Sequence, residues 1–166
     1  MDLINSWRDP MPETDARDYA TLLSAYRTAL LTTVGPDGHF HSRPMAMHQT
    51  VRGEELWFAT SASAKKCKDL ATEPRCALTF FDAAGGGTVS LSGVGEIIRD
   101  KKLLLELWNP SWARWFPGGQ QQRDIALIRV IPQHVERIDG KTGKSEVLFT
   151  SKPRRARRTE RRRAAN

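Results

Sequence analysis

The 166-residue sequence predicts a mainly β fold, an antiparallel sheet or barrel with short flanking helices. The predicted element order is helix, three strands, helix, two strands, helix and strand, with hairpin-like connections between most strands. A parallel sheet would need a crossover, usually a helix, between successive strands, so this order favours antiparallel pairing. The chain length and a hydrophobic content of 39% are typical of one domain with its own core.

Capping and turn signals define the first elements. Near the N-terminus, Thr14 or Asp15 can cap a helix whose apolar residues recur on one face: Tyr19, Leu22, Leu23 and Tyr26. A β-forming run over 29–34 meets the turn sequence Gly-Pro-Asp-Gly at 35–38, and a second strand follows over 39–48. This combination predicts a hairpin at the start of the sheet.

The later elements are predicted as strands at 55–60, 75–81, 88–98 and 125–138, and as helices at 64–71 and 101–107. Ser61 or Ser63 can cap the first of these helices, and Asp100 can cap the second. Gly93 and Gly95 lie inside a predicted strand. Glycine at such positions predicts a bulge or a close approach of the backbone to another element.

The net charge of +7 is concentrated at the C-terminus. Residues 152–166 contain eight Lys or Arg and one Glu, so 18 basic and 18 acidic residues remain in 1–151. We therefore predict one folded domain over 1–151 and a basic, disordered tail over 152–166. Two interpretations of the tail stay open: a salt-dependent contact with nucleic acid or another acidic surface, and a solvated tail that affects solubility.

Cysteine and histidine usage indicates neither a disulfide framework nor a metal site. Cys67 and Cys76 form no C-x-x-C motif, and free, buried thiols are expected. No apolar run resembles a signal peptide or a membrane span, and with free cysteines this favours a cytoplasmic protein. His39 and His41 share a strand face, but no third ligand follows at a recognisable spacing.

Cationic residues stand at two places suited to a phosphate-bearing cofactor. Arg43 lies on the second predicted strand, and Ser63, Lys65 and Lys66 stand where a helix should begin. A helix N-terminus attracts anions through its unpaired N–H groups and its dipole, so cations there add to such a site. Taken singly, an exposed strand arginine or a pair of helix lysines is more often a solvated surface feature.

An ordered set of segments resembles a known family, the pyridoxamine 5′-phosphate oxidase-like split barrels. The segments are Leu-Leu-Thr-Thr-Val at 30–34, His-Ser-Arg-Pro-Met at 41–45, Leu-Trp-Phe-Ala-Thr at 56–60 and Glu-Pro-Arg at 73–75. Three more resemble the general-stress FMN-binding branch, namely Val-Ser-Leu-Ser-Gly-Val-Gly-Glu at 89–96, Leu-Trp-Asn-Pro at 107–110 and Trp-Phe-Pro-Gly-Gly at 115–119. The resemblance covers about residues 3–138.

This resemblance implies a six-stranded antiparallel split barrel that forms a homodimer and holds FMN at the subunit interface. It implies that Arg43 contacts the flavin and that Pro44 and Met45 line its ring. It also implies cofactor contacts by the residues that end the third strand, Ala59 and Thr60.

Four further residues complete the predicted site. The basic pair Lys65 and Lys66 is expected to bind the phosphate, with Lys66 better matched to the family pattern. Ser42 either donates a hydrogen bond to the isoalloxazine or faces the barrel wall. Trp115 belongs to a tryptophan cluster that covers the flavin ring or packs in a core or dimer contact.

The predicted function is FMN binding with oxidoreductase activity toward an unidentified small acceptor, with electrons from a nicotinamide or similar donor. No side chains form a recognisable acid–base or nucleophilic pair, as expected where a cofactor carries the chemistry. The segment 135–143 lacks the Arg and His pattern of true pyridoxamine-phosphate oxidases, which disfavours that activity. The alternatives are a deazaflavin-dependent reductase on the same fold and a non-catalytic flavin-binding stress protein.

Overall fold

The computed structural model describes residues 18–47, 51–52 and 54–151. This part of the chain contains three α-helices: α1 (Asp18–Ser24), α2 (Lys65–Thr72) and α3 (Lys101–Leu107). Its strands are β1 (Thr28–Val34), β2 (Phe40–Ala46), β3 (Val51–Arg52), β4 (Glu55–Ser61), β5 (Arg75–Phe81), β6 (Thr88–Ile98), β7 (Ile125–Ile138) and β8 (Ser145–Thr150). Two short 3₁₀ helices, Pro110–Arg114 and Gly119–Gln121, lie between α3 and β7.

These strands form one antiparallel sheet with the order β2-β1-β5-β6-β7-β4-β3. The long strand β7 joins the two parts of the sheet, because one of its edges pairs with β6 over 127–138. Its other edge pairs with β4 over 125–130 and with β8 over 134–138. The predicted mainly β, antiparallel fold with short flanking helices is confirmed.

The sheet has two more strands than the six that the resemblance implied. β3 is two residues long, and β8 follows the turn after β7. Leu148 is the one buried residue of β8, and the three residues before it are exposed. A strand held mainly by backbone pairing gives no alternating hydrophobic signal, which is why the sequence did not predict it.

Gly93 and Gly95 have the roles predicted for glycine inside a strand. The register between β6 and β7 shifts between Ser92 and Gly93, where a Cβ would collide with the carbonyl oxygen of Ile131. At Gly95, a Cβ would lie 2.8 Å from a methyl group of Leu70 on α2. The two glycines therefore allow β6 to bulge against β7 and α2 to pack closely on β6.

The main hydrophobic core lies on the inner face of the sheet and includes side chains from most strands: Leu31, Phe58, Phe80, Leu91 and Ile128. A second cluster lies on the opposite face of β4 and β7, where Trp57 and Leu127 pack against Leu104 of α3 and Trp112 of the first 3₁₀ helix. Because adjacent residues of β4 enter different clusters, β4 is covered on both faces. Burial of each large side chain contributes about 1.5–3 kcal/mol.

The caps of the two later helices differ in how well they were predicted. Asp100 accepts hydrogen bonds from two backbone N–H groups of α3, as expected for an N-cap. The predicted cap of α2 is wrong, because α2 follows Ala64 and no side chain caps it. The hydroxyl groups of Ser61 and Ser63 bind the carboxylate of Asp124 instead.

Several predictions made from the sequence fall on residues that the structure does not describe. The cap at Thr14 or Asp15 and the tail at 152–166 lie outside the described residues, so the domain boundary at 151 stays a prediction. Cys67 and Cys76 are free and buried, as predicted. No helix in the described ranges is both long enough and apolar enough to cross a membrane.

Candidate functional site

A cleft of about 430 Å³ opens where the sheet is split between β2 and β4. It is lined by the end of β2 (44–46), the end of β4 (59–61), Ala64, Lys66 and an aromatic wall. Within the described residues, β2 pairs only with β1, and β3 covers only the first two residues of β4. The facing strand edges therefore present backbone N–H and C=O groups that have no partner in the sheet, and a ligand can use them.

Lys66 brings a cation into this cleft from the start of α2. The half-buried ammonium donates a hydrogen bond to Thr60 Oγ1 at 3.0 Å. No acidic side chain in the described part of the chain forms an ion pair with it. Burial, followed by the nearby positive charge of Arg43, lowers the pKa of Lys66, although Cys67 opposes this shift. Such a cation is poorly compensated by its protein surroundings.

The aromatic wall of the cleft consists of Trp112, Trp115 and Phe116. Trp112 and Phe116 are buried, and Trp112 packs edge-on against Trp108 with ring centroids 5.7 Å apart. Trp115, which lines the same cleft, is 49% exposed. An exposed indole next to a ligand-sized cleft offers a face on which a planar ring can stack.

The connection between β4 and α2 is held by Asp124, just before β7. The carboxylate accepts hydrogen bonds from the hydroxyls of Ser61 and Ser63 and from the Ser63 backbone N–H at 3.2 Å. The Ala62 N–H also donates to the Asp124 carbonyl at 3.2 Å. The hydrogen bond from Ser61 is the main cause of the lowered pKa of Asp124. These hydrogen bonds to Asp124 fix the path of the chain that leads to Lys66.

Arg43 does not line the cleft. Its guanidinium lies on the inner side of β2, where it donates to Thr33 Oγ1 at 2.7 Å and to the Leu31 carbonyl at 3.4 Å. It also lies 3.5 Å from Asp69 Oδ2. The contact between Arg43 and a flavin stays a prediction, and this geometry does not favour it.

A buried carboxylate, Asp69 of α2, lies at the centre of a polar network. Its Oδ2 accepts a hydrogen bond from Thr33 at 2.7 Å and lies 3.0 Å from His41 Nδ1. Its Oδ1 has no hydrogen-bond partner among the described residues. Burial raises the pKa of Asp69, but hydrogen bonds from His41 and Thr33 and the charge of Arg43 outweigh burial, so the pKa is lowered overall. Asp69 is therefore ionised at neutral pH.

The pair of Asp69 and His41 corrects the expectation that no acid–base pair exists. Because an ionised carboxylate only accepts, His41 donates from Nδ1, and its Nε2 faces the Lys65 ammonium at 3.1 Å. Sequence reasoning missed the pair because its members are 28 residues apart. The available signal was an aspartate next to Leu70 on the buried side of an amphipathic helix.

The cleft brings together six of the nine predicted site residues: Pro44, Met45, Ala59, Thr60, Lys66 and Trp115. Ser42, Arg43 and Lys65 lie elsewhere. Ser42 shares a hydrogen bond of 2.8 Å with Thr32 on the neighbouring strand, and Lys65 is turned toward His41. Cofactor contacts of all nine stay predictions. Trp112 and Phe116 also line the cleft but were not among the predicted site residues; their crowding near Trp115 in the sequence was the available signal.

None of the histidines that the structure describes lines the cleft. His39 lies 3.2 Å from Asp37 at the hairpin turn, and His41 belongs to the Asp69 network. His48 lies outside the described residues. Within the described ranges, no group of three or more His, Cys, Asp or Glu side chains could hold a metal ion.

Comparison with protein families identifies the chain's relatives. A family model described as pyridoxamine 5′-phosphate oxidase like matches residues 14–160. Protein bli-3 of Neurospora crassa is 27% identical over 123 residues, a match that covers 68% of this chain and 59% of bli-3. The chain thus spans less than two thirds of the length of that relative.

Solved structures share the fold. A protein from Clostridium acetobutylicum related to general stress protein 26 superposes with a TM-score of 0.72 at 19% identity, covering 84% of this chain and 96% of that chain. A heme binding protein from Mycobacterium smegmatis superposes with a TM-score of 0.64 at 17% identity, covering 83% of this chain and 59% of that chain. Similarity at these identities establishes the fold alone.

Proposed function

Because the chain belongs to the pyridoxamine 5′-phosphate oxidase-like family, we propose that its cleft binds FMN and that the protein is a flavin-dependent oxidoreductase. One observation carries this proposal. Lys66 places a half-buried ammonium in a ligand-sized cleft, and no carboxylate of the described residues compensates its charge. A phosphate at this position would supply the missing negative charge.

The remaining lining residues suit the rest of a flavin nucleotide. Lys66 and the Thr60 hydroxyl would hold the phosphate, next to the start of α2. The unpaired edges of β2 and β4 would offer hydrogen bonds to the polar atoms of the ring system, and Trp115 would cover one of its faces. A volume of about 430 Å³ falls within the usual range of ligand pockets, about 300–1,000 Å³.

The bound flavin would supply the electron-transfer chemistry, and the chain would supply binding, orientation and electrostatics. Among the described residues, the cleft lining contains no carboxylate and no histidine that could act as an acid or base. The pair of Asp69 and His41 is separate from this lining, so the proposal assigns it no part in the reaction. A nicotinamide is the proposed electron donor, and the acceptor is a small molecule.

A second copy of the chain is the proposed partner. Leu30, Phe40 and Phe81 are 42%, 76% and 62% exposed, and all three belong to the connected strands β1, β2 and β5. Exposed apolar side chains on adjacent strands suit an interface between copies. A dimer formed there would lie beside the end of β2 that lines the cleft, and light scattering coupled to size-exclusion chromatography would measure its mass.

Titration with FMN and with riboflavin, which lacks the phosphate, tests the cofactor. Replacing Lys66 by Met keeps the apolar stem but removes the charge, so we expect FMN affinity to fall at least tenfold, about 1.4 kcal/mol. Riboflavin affinity should stay within twofold of the wild-type value. Lys68→Met is the matched control, since Lys68 lies on the same helix but is exposed and outside the cleft lining.

Two outcomes would contradict the proposal. One is equal loss of FMN and riboflavin binding in Lys66→Met, and the other is a wild-type protein that binds neither FMN nor a deazaflavin. Tighter binding of the deazaflavin would identify the alternative reductase. Heme serves as a further competitor, because one structural relative is a heme binding protein, although no histidine in the described part of the chain lines this cleft.

Anaerobic reduction separates an enzyme from a protein that only binds flavin. We expect NADH or NADPH to bleach the absorption band of the FMN-loaded protein, with dithionite as the positive control for reducible flavin. If dithionite bleaches the band and neither nicotinamide does, a nicotinamide-dependent oxidoreductase is excluded and the flavin-binding stress protein is favoured.

A further inference from the structure

A second cavity of about 250 Å³ lies on the other side of the β4–α2 connection. It is bounded by the end of β6, the start of α3, the 3₁₀ helix Gly119–Gln121 and the first residues of β7. No residue that lines it also lines the larger cleft. The two cavities are therefore separate, and a ligand in the smaller one would not occupy the proposed flavin site.

The rim of this cavity is cationic. Arg99, Lys101 and Arg123 all line it and are exposed. Within the described residues, none of the three forms an ion pair with a carboxylate. The one carboxylate in the lining, Asp100, is engaged as the cap of α3 by two backbone N–H groups. The rim thus carries an excess of two positive charges, in a domain that is neutral by count over 1–151.

The floor of the cavity is apolar. Leu104, Ile125 and Leu127 are 6%, 8% and 1% exposed and belong to the second hydrophobic cluster. Ile98 is half-buried and packs against the same cluster. A ligand with an apolar body would rest on these side chains while its charged group stayed at the rim.

Two glutamines add hydrogen-bond donors beside the cations. The Gln121 side-chain oxygen accepts from the Lys101 ammonium at 3.1 Å, and the Gln122 side-chain oxygen accepts from the Gly118 N–H at 3.3 Å. Because the oxygen of each amide is engaged, the NH₂ group is the end that remains for a ligand. The cations and the amide NH₂ groups at the rim are therefore all hydrogen-bond donors. The rim favours a ligand that carries hydrogen-bond acceptors.

We propose that this cavity binds a small organic anion, a carboxylate carried on an apolar body. The guanidinium groups of Arg99 and Arg123 suit a planar carboxylate, and the apolar floor gives no advantage to an inorganic ion. The volume lies just below the usual range of ligand pockets, which limits the ligand to a compact molecule. A concavity of this size with three cations does not provide the extended basic surface that nucleic acid needs.

Chemical-shift mapping of the full-length, ¹⁵N-labelled chain with 2-naphthoate tests the proposal. We expect saturable shifts at the side-chain amides of Gln121 and Gln122 and at the backbone of 98–101 and 123–125. The neutral isostere 2-naphthamide should bind at least tenfold more weakly. The double variant Arg99→Gln, Arg123→Gln should also lose at least tenfold in naphthoate affinity, whereas Lys102→Gln should stay within twofold.

Lys102 is the matched control because it is an exposed cation of α3 that does not line the cavity. Unchanged signals elsewhere in the double variant would show that it still folds. The proposal is overturned if naphthoate and naphthamide bind equally, if no shift is saturable, or if the double variant binds like wild type. Shifts confined to the Lys66 cleft or to 152–166 would also overturn it, since another cationic site would then bind the anion.

Discussion

Replacing Asp69 by Asn tests whether one buried carboxylate holds α2 against the β1–β2 hairpin. The Asp69 side chain is fully buried, and Arg43, whose side chain is 19% exposed, lies 3.5 Å away. Asn keeps the shape but removes the charge, which leaves the guanidinium without its counter-ion. Breaking a buried pair in this way costs about 3–5 kcal/mol. Because Arg43 is partly exposed and Asn can still accept from Thr33, we expect the lower end, about 3 kcal/mol.

Thermal unfolding followed by circular dichroism measures this effect. For a domain of this size, 1 kcal/mol corresponds to about 2–4 °C, so Tm should fall by about 6–12 °C. Glu73→Gln is the control, since Glu73 forms an ion pair of 2.7 Å with exposed Arg75 that lowers the pKa of Glu73 to about 2. Water screens that pair, and no measurable change in Tm is expected. Equal Tm values for the two variants would refute the reasoning.

The pH dependence of the same variant follows from the lowered pKa of Asp69. In the unfolded chain an aspartate titrates near pH 4, so on acidification the unfolded state takes up a proton before the folded state does. Asp69 therefore stabilises the fold above about pH 4, and this contribution is lost as the pH falls through its folded-state pKa. The difference in unfolding free energy between wild type and Asp69→Asn should narrow below about pH 4.

Three further substitutions or treatments test other parts of the structure. Burial raises the pKa of the Cys76 thiol to about 12, so iodoacetamide should modify Cys76 only after denaturation, as read by mass spectrometry. Gly93→Ala should lower Tm strongly, since the new methyl group would meet the Ile131 carbonyl, and Ser92→Ala is the control. Asp100→Ala should cost about 1 kcal/mol in urea unfolding through loss of the α3 cap, and an unchanged midpoint would contradict that role.

Local signals in the sequence were sufficient for most of the fold. The turn sequence at 35–38 and the alternation in β5 and β6 predicted strands that the structure contains, and Asp100 predicted the start of α3. β8 was not predictable, because its stability depends on pairing with β7 and on one buried leucine. The predicted cap of α2 was wrong for a related reason. Ser61 and Ser63 bind Asp124, which lies more than 60 residues away in the sequence.

The predictions for the candidate site also succeeded where local sequence signals were sufficient and failed where a tertiary contact decides the position. Six of the nine predicted residues line one cleft, because they follow strand ends and a helix start that the sequence marked. Arg43 was expected there as well, but its side chain donates a hydrogen bond to Thr33 and lies next to Asp69. Its partner is a helix residue whose position follows from tertiary packing. Sequence spacing alone therefore could not separate a cation with an internal partner from a cation available to a ligand.

The charges of Asp69 and Lys66, both on α2, have opposite effects on the stability of the fold. The pKa of Asp69 is lowered, so the folded state favours the Asp69 charge. Burial lowers the pKa of Lys66, so the folded state holds the Lys66 ammonium less favourably than the unfolded chain does. Lys66→Met should therefore leave the Tm of flavin-free protein unchanged or higher, and added FMN should raise the Tm of wild type but not that of the variant. A fall in Tm as large as that of Asp69→Asn would mean that Lys66 supports the fold rather than a ligand.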